Sequence, residues 1–367
     1  MYRKDKRIVL TLDAGGTNLV FGAMKGCEFI TCPFTYPTNS EDLTLCLATI
    51  KKGFNEVISK IHSNPVAISF AFPGPADYPN GIIGGYLPNF PSFRHGVPLG
   101  HILEKEFGIP VFINNDGDLF TYGEAICGVL PEINRRLKEA GSIKQYRNLI
   151  GYTFGTGLGI GMVINNQLNV GDNSCVETFC LPLKDKEEII AEEGISIRAI
   201  KRYYKENAEN FIEDLEPKDI YEIAIGEKQG DRKAAIYSFE KFGELAGNSI
   251  AITAQLIDGL IVIGGGLSAS HKLFMPSLLK ELRSQLQTLN GEKVNRLQME
   301  VFYLDEEKDF EKFAQGNLKV LKIPDSDKTV NYDDMKRIGI TISKMGASKA
   351  ISVGAYAFAL NKIDSSL

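Results

Sequence analysis

Three glycine turns in this chain directly follow an apolar run, two of them with hydroxyl or carboxylate side chains beside the glycines. They are Asp13-Ala14-Gly15-Gly16-Thr17-Asn18, Gly155-Thr156-Gly157 and Gly264-Gly265-Gly266. Glycine lets successive backbone N–H groups converge on one point, and the missing Cβ lets a phosphate approach them. A threonine hydroxyl adds a donor, and a neighbouring carboxylate can hold Mg²⁺ through water or phosphate. The first turn offers all of these features, with Asp13 as the Mg²⁺ ligand. The second supplies donors without a carboxylate, which suits the far side of the same triphosphate. The third would let a flat adenine pack against backbone. One such turn alone reads as a tight hairpin; three in this order, with the carboxylate only on the first, point to nucleotide binding. No G-x-G-x-x-G precedes a helix and no G-K-[ST] occurs, so neither the Rossmann nor the P-loop pattern applies.

The elements that carry these turns repeat. A strand over 7–13 meets the first turn and returns over 19–24 as a hairpin. Helical spacing follows at 41–62, then a buried strand at 66–72 stopped by Pro73-Gly74-Pro75, a helix at 101–108 and a short strand at 111–114. The pattern strand, Gly/Thr turn, strand returns at 149–164, roughly 140 residues on, too long a period for a solenoid. It implies a duplicated α/β domain with a cleft between the copies. A helix at 239–256, a strand at 259–263 and an apolar small-residue helix at 347–360 complete the plan. The polar stretches 131–148 and 308–337 read as surface insertions.

Asn115-Asp116 directly follows the strand at 111–114, at the C-terminal edge where an α/β cleft opens. Such a pair caps a helix in many proteins. It could equally accept a proton from a substrate hydroxyl.

Composition bounds the alternatives. The chain has 367 residues, enough for two domains, with 24% charged and 44% apolar residues and a net charge of −5. There is no basic face for nucleic acid, no polybasic anchor, and no apolar run near the ~20 residues that span a bilayer. The six cysteines stand singly, without a Cys-x-x-Cys pair, and read as reduced thiols in a cytoplasmic protein.

Six segments together resemble the ROK family of sugar kinases and sugar-responsive repressors: LDAGGTN (12–18), FAFPGPAD (70–77), LPNF (87–90), INNDGDLFTYGE (113–124), FGTGLGIG (154–161) and IVIGGGLS (261–268). The resemblance implies a two-lobed actin-like ATPase (ribonuclease H-like) fold of duplicated α/β domains with an interlobe cleft. The lobes would run over 1–115 and 116–346, a C-terminal helix near 347–364 packing back on the first. The implied activity is ATP-dependent phosphorylation of a hexose or amino-hexose at its primary 6-hydroxyl. Asp116 matches the catalytic base, and Asn89, Asn115, Glu177 and Glu192 match sugar ligands. The resemblance also makes a homodimer an expectation. ROK repressors carry a helix-turn-helix before the first hairpin; too few residues precede it here to expect one. A non-catalytic sugar sensor of the same fold is the competing expectation.

One stretch departs from the family pattern. Most members continue after the residue matching Glu177 with a histidine and a cluster of three cysteines that bind structural zinc. Here Cys180 stands where the histidine would be, and no Cys or His lies between Leu181 and Ala191. Tetrahedral zinc takes four ligands, so no zinc site is expected.

Overall fold

Hydrophobic strands set the architecture in both halves of the chain. The structure, a computed structural model, describes residues 2–15, 17–74, 76–209 and 213–365. In the first sheet Val9–Ala14 pairs antiparallel with Asn18–Lys25 and parallel with Ala67–Ala71, which pairs parallel with Val111–Asn114. Glu28–Phe29 and Phe34–Pro37 extend the hairpin side. Ala67–Ala71 is buried along its whole length, as expected of an interior parallel strand covered on both faces. In the second sheet Leu149–Phe154 is likewise followed by a return strand, Leu158–Ile164. The parallel neighbours are then Leu260–Gly264, Arg337–Ile342 and, at the far edge, Glu300–Tyr303. The repeated topology is the actin-like ATPase arrangement implied by the family resemblance.

Two compact units result. One comprises Met1–Pro131, Gly161–Val176 and Lys344–Leu367; the other comprises Glu132–Ile160 and Glu177–Ser343. The first unit runs past residue 115 because helix Asp116–Ile126 packs on helix Ala347–Ser365. Their backbones touch. A Cβ on Gly354 would lie 1.8 Å from the Leu119 carbonyl oxygen, and one on Gly123 would lie 2.0 Å from that of Ala350. Phe358 adds edge-on contacts to Tyr122 and Phe112, with centroids 6.3 and 6.1 Å apart. Local signals bound the other helices. Asp42 caps Leu43–Lys60 by accepting from the Leu45 N–H (3.0 Å), and Gly108, at φ 66°, ends Leu99–Phe107.

Two expectations need correction. The stretch 308–337 is not a plain surface excursion. Helix Glu307–Gln315 buries Phe310 and Phe313, and Arg337 is buried at the start of an interior strand, paired with Asp333 at 2.6 Å. A two-residue apolar stripe was hidden among charges, and an arginine opens the strand. Nor are all six cysteines free thiols: Cys27 and Cys127 form a disulfide across 100 residues. The turn after Asn18–Lys25 brings Cys27 to the C-terminus of helix Asp116–Ile126, a proximity that only the tertiary fold creates. The other polar stretch, 131–148, holds helix Val129–Glu139, which buries Leu130, Ile133 and Leu137 while Arg135 pairs with Glu132 and Glu139 outside. Among the described residues no helix is long and apolar enough to cross a membrane.

Gly354→Ala should destabilise the protein by about 1–3 kcal/mol or more, because the added methyl forces the two helices apart. Denaturant unfolding checks this; a variant as stable as the parent would show that the crossing is not tight.

Candidate functional site

In the first unit, Asp13 stands next to last in strand Val9–Ala14, opposite Val20. The turn beyond it is closed by the Gly15 N–H donating to the Asn18 carbonyl (2.9 Å). Thr38 holds it from behind: its hydroxyl donates to the Gly15 carbonyl (2.6 Å) and its N–H to that of Thr17 (3.0 Å). Thr38 is fully buried, whereas Gly15, Thr17 and Asn18 are exposed. Sequence reasoning missed Thr38, since nothing local marks a residue supplied by the end of another strand. Gly16 lies outside the described residues.

Asn115 and Asp116 follow strand Val111–Asn114 and open helix Asp116–Ile126. Asn115 caps it, its Oδ1 accepting from the Gly117 N–H at 2.7 Å, and Asp116 Oδ1 accepts from the same N–H at 2.8 Å. The capping role and the candidate catalytic role therefore coexist in this dipeptide. Strand order brings the carboxylates of Asp13 and Asp116 close enough to repel. The Asp13 pKa is raised by burial first and by the Asp116 charge second; the Ser348 hydroxyl, at the start of helix Ala347–Ser365, opposes the rise. Asp116 is exposed at the surface, yet the bulk of protein around it disfavours its charge, and its pKa is raised against the pull of the Gly117 N–H. A helix N-terminus favours a carboxylate charge, so desolvation is the larger effect here. Asn89 is exposed on a turn closed by the Phe90 N–H and the Leu87 carbonyl (3.2 Å). Leu87 and Phe90 are buried, and Phe90 packs on Phe72 with centroids 4.5 Å apart.

In the second unit, Gly155, Thr156 and Gly157 join strands Leu149–Phe154 and Leu158–Ile164. The Ile197 N–H, at the start of helix Ile197–Asn207, holds the Gly155 carbonyl at 2.9 Å. Glu192 reaches the same turn. Its Oε2 accepts from the Leu158 N–H (3.1 Å), and its Oε1 pairs with Arg198 (3.0 Å). Arg198 also donates to the Thr156 carbonyl (3.0 Å). Glu192 is thus engaged in supporting the second turn, a role that its motif match does not disclose. Gly264 ends its strand and is buried. Gly265, at φ 84°, sits where a Cβ would meet the Phe154 carbonyl oxygen at 2.3 Å, so only glycine fits. Gly155 and Gly266 have open space where a Cβ would stand.

Glu177 is half-buried at the start of the stretch where the sequence departs from its family pattern. Cys180 is exposed in a turn closed by the Leu181 N–H and the Thr178 carbonyl (3.1 Å), and Glu192 and Ala191 donate back to Phe179 and Leu181. Strands Pro182–Leu183 and Lys186–Ile190 then form a hairpin. Lys184 pins it to Glu244 (2.7 Å) and Glu281 (2.9 Å). Ion pairs and backbone bonds hold this segment. Among the described residues no group of three or more His, Cys, Asp or Glu is placed to hold a metal ion. Asp13, half-buried beside the first turn, offers a carboxylate of the kind that binds Mg²⁺ together with phosphate oxygens and water.

The profile of the ROK family matches residues 9–303. A crystal structure of a glucokinase from Parabacteroides distasonis is 53% identical, covers 98% of this chain and 99% of that one, and superimposes with a TM-score of 0.91. The glucokinase of Streptomyces coelicolor is 25% identical over 301 residues, 76% of this chain and 88% of that protein. A ROK family glucokinase from Streptomyces griseus, solved in complex with glucose and AMPPNP, is 18% identical with a TM-score of 0.61 over 95% of this chain, a likeness of fold.

The carboxylate pair has a thermodynamic consequence. Folding raises both pKa values, so the native state binds these protons more tightly than the unfolded chain does. The ionised pair therefore lowers stability above the raised values, and this penalty disappears below the ordinary carboxylate range. Asp13→Asn should raise Tm by a few degrees at neutral pH, with the gain fading as pH falls below about 4. A Tm lower at pH 7 than the parent's would contradict the repulsion.

Proposed function

The chain belongs to the ROK family and is a sugar kinase, and from that premise we propose that it transfers the γ-phosphoryl group of ATP to the 6-hydroxyl of a glucose-like hexose. The observation that carries the proposal is the pair of carboxylates, Asp13 and Asp116, whose raised pKa values come from one unit. A raised pKa suits Asp116 to act as a base, because proton affinity nearer the working pH eases abstraction. The sugar O–H proton passes to Asp116, the oxygen bonds to the γ-phosphorus, and the bond from that phosphorus to ADP breaks. Sugar 6-phosphate and ADP leave.

Most of the rate in such a transfer comes from positioning and charge neutralisation. Asn115 spends its Oδ1 on the helix cap, so a sugar hydroxyl would be met by its amide Nδ2. Asn89 and Glu177 are assigned further hydroxyls. A sugar reaches the Glu192 carboxylate only by sharing it with Arg198 and Leu158. Phosphate oxygens are assigned to the first and second turns, where Gly15, Thr17, Asn18 and Thr156 are exposed, and the open faces of Gly155 and Gly266 admit the nucleotide. Mg²⁺, held by Asp13 directly or through water, neutralises phosphate charge when bound. A non-catalytic sensor would gain nothing from a carboxylate pair that lowers its own stability.

Coupled ADP release over glucose, mannose, N-acetylglucosamine and 6-deoxyglucose tests the reading. Glucose should turn over and 6-deoxyglucose should inhibit without turnover. Asp116→Asn should lower kcat by about 10³-fold while KM for the sugar stays within a few-fold. Parent-like turnover in that variant, or phosphorylation of 6-deoxyglucose, would overturn the assignment.

A further inference from the structure

One cation stands where the helix that carries it does not favour a positive charge. Arg198 is the second residue of helix Ile197–Asn207, at the end whose dipole attracts anions. Ser196, Ala199 and Ile200 are buried around it, so the backbone is fixed while the Arg198 side chain stays exposed. Three acceptors hold the guanidinium instead. It donates to the Thr156 carbonyl (3.0 Å), to Glu192 Oε1 (3.0 Å) and to Glu193 Oε1 (3.1 Å). A single arginine thus links the second glycine turn to a carboxylate assigned to the sugar.

The neighbours decide what would follow if the guanidinium turned away. Glu193 keeps a cation, because Arg202 pairs with its Oε2 at 3.4 Å and also donates to its carbonyl. Glu192 keeps its place. Its Oε2 accepts from the Leu158 N–H (3.1 Å) and lies against Gly157, where a Cβ would meet it at 2.7 Å. The turn keeps its shape, because the Ile197 N–H holds the Gly155 carbonyl (2.9 Å) and the Gly155 N–H donates to the Gly157 carbonyl (3.2 Å). Two acceptors are released: the carbonyl of the exposed Thr156, which water can serve, and Glu192 Oε1.

An exposed ion pair contributes little in water, so the Arg198–Glu192 pair is readily exchanged. A phosphate is the stronger partner, since it takes two parallel N–H donors from one guanidinium and carries more charge than a carboxylate. We infer, on the kinase reading above, that ATP bound at the second turn draws Arg198 from Glu192 to a phosphate oxygen and frees Glu192 Oε1 to accept a sugar hydroxyl. The sugar then shares Glu192 with Arg198 only until nucleotide arrives. Arg198 couples the two substrates, and each strengthens the binding of the other by the same factor.

Isothermal titration calorimetry of the full chain tests the exchange, with glucose titrated alone and in saturating Mg²⁺ and AMPPNP. In the parent the nucleotide analogue should lower the glucose Kd by about fivefold or more. Arg198→Met should bind glucose more tightly than the parent when nucleotide is absent, because Glu192 has lost its competing cation. Its coupling factor should fall to about 2 or less, and Arg198→Lys, which keeps the charge, should lie between the two. An arginine that merely braced the turn would give the opposite sign, with weaker glucose binding once it is removed. Weaker glucose binding by nucleotide-free Arg198→Met, or a coupling factor that this variant leaves unchanged, overturns the inference. Glucose that binds the parent in neither condition overturns the sugar reading beneath it, and the inference with it.

Discussion

Two carboxylates that repel each other organise the first unit. Asp13 and Asp116 come from sequence positions about a hundred residues apart, and neither finds a cation among the residues that raise or lower its pKa. Burial favours protonation of both, and at Asp13 the Asp116 charge adds to it, so the folded chain holds this pair at a cost in stability. Functional sites are where such a cost is retained, because a poorly hydrated carboxylate is a stronger base and a better ligand for a phosphate-bound divalent cation.

The framework that holds the pair together is backbone packing. Gly123 and Gly354 let helices Asp116–Ile126 and Ala347–Ser365 touch, which fixes the helix that opens with Asp116 and brings Ser348 to Asp13. Thr38 sets the first turn from behind, as Ile197, Glu192 and Arg198 set the second. Gly15, Thr17, Asn18 and Thr156 thereby stay exposed, while buried groups carry the shape. Positioning is the main catalytic demand of phosphoryl transfer, and rigid supports of this kind answer it.

The glycine turns, the paired hairpins and Asn115-Asp116 were legible in the sequence because each is a local pattern with a local physical cause. The actin-like fold was implied by the family resemblance that these patterns, in their order, carry. Thr38, Arg198 and Ser348 were not legible, since each acts on a turn or carboxylate to which only the fold brings it. Glu192 was matched by motif to a sugar, and its bonds to Leu158 and Arg198 appear only in three dimensions. The Cys27–Cys127 link spans 100 residues and has no signature in spacing. Helix Glu307–Gln315 was hidden because charged side chains outnumber the apolar ones that bury it, and strand Arg337–Ile342 because it opens on an arginine.

The central claim is that Asp116 is a base whose proton affinity is raised by the protein around it. The pH dependence of kcat/KM for the sugar at saturating MgATP tests it most directly, compared between the parent protein and Asp116→Asn. The account predicts an acid limb in the parent above the ordinary aspartate value of about 4, and no such limb in the residual activity of the variant. The same limb in both proteins, or one at or below the ordinary value in the parent, would contradict it.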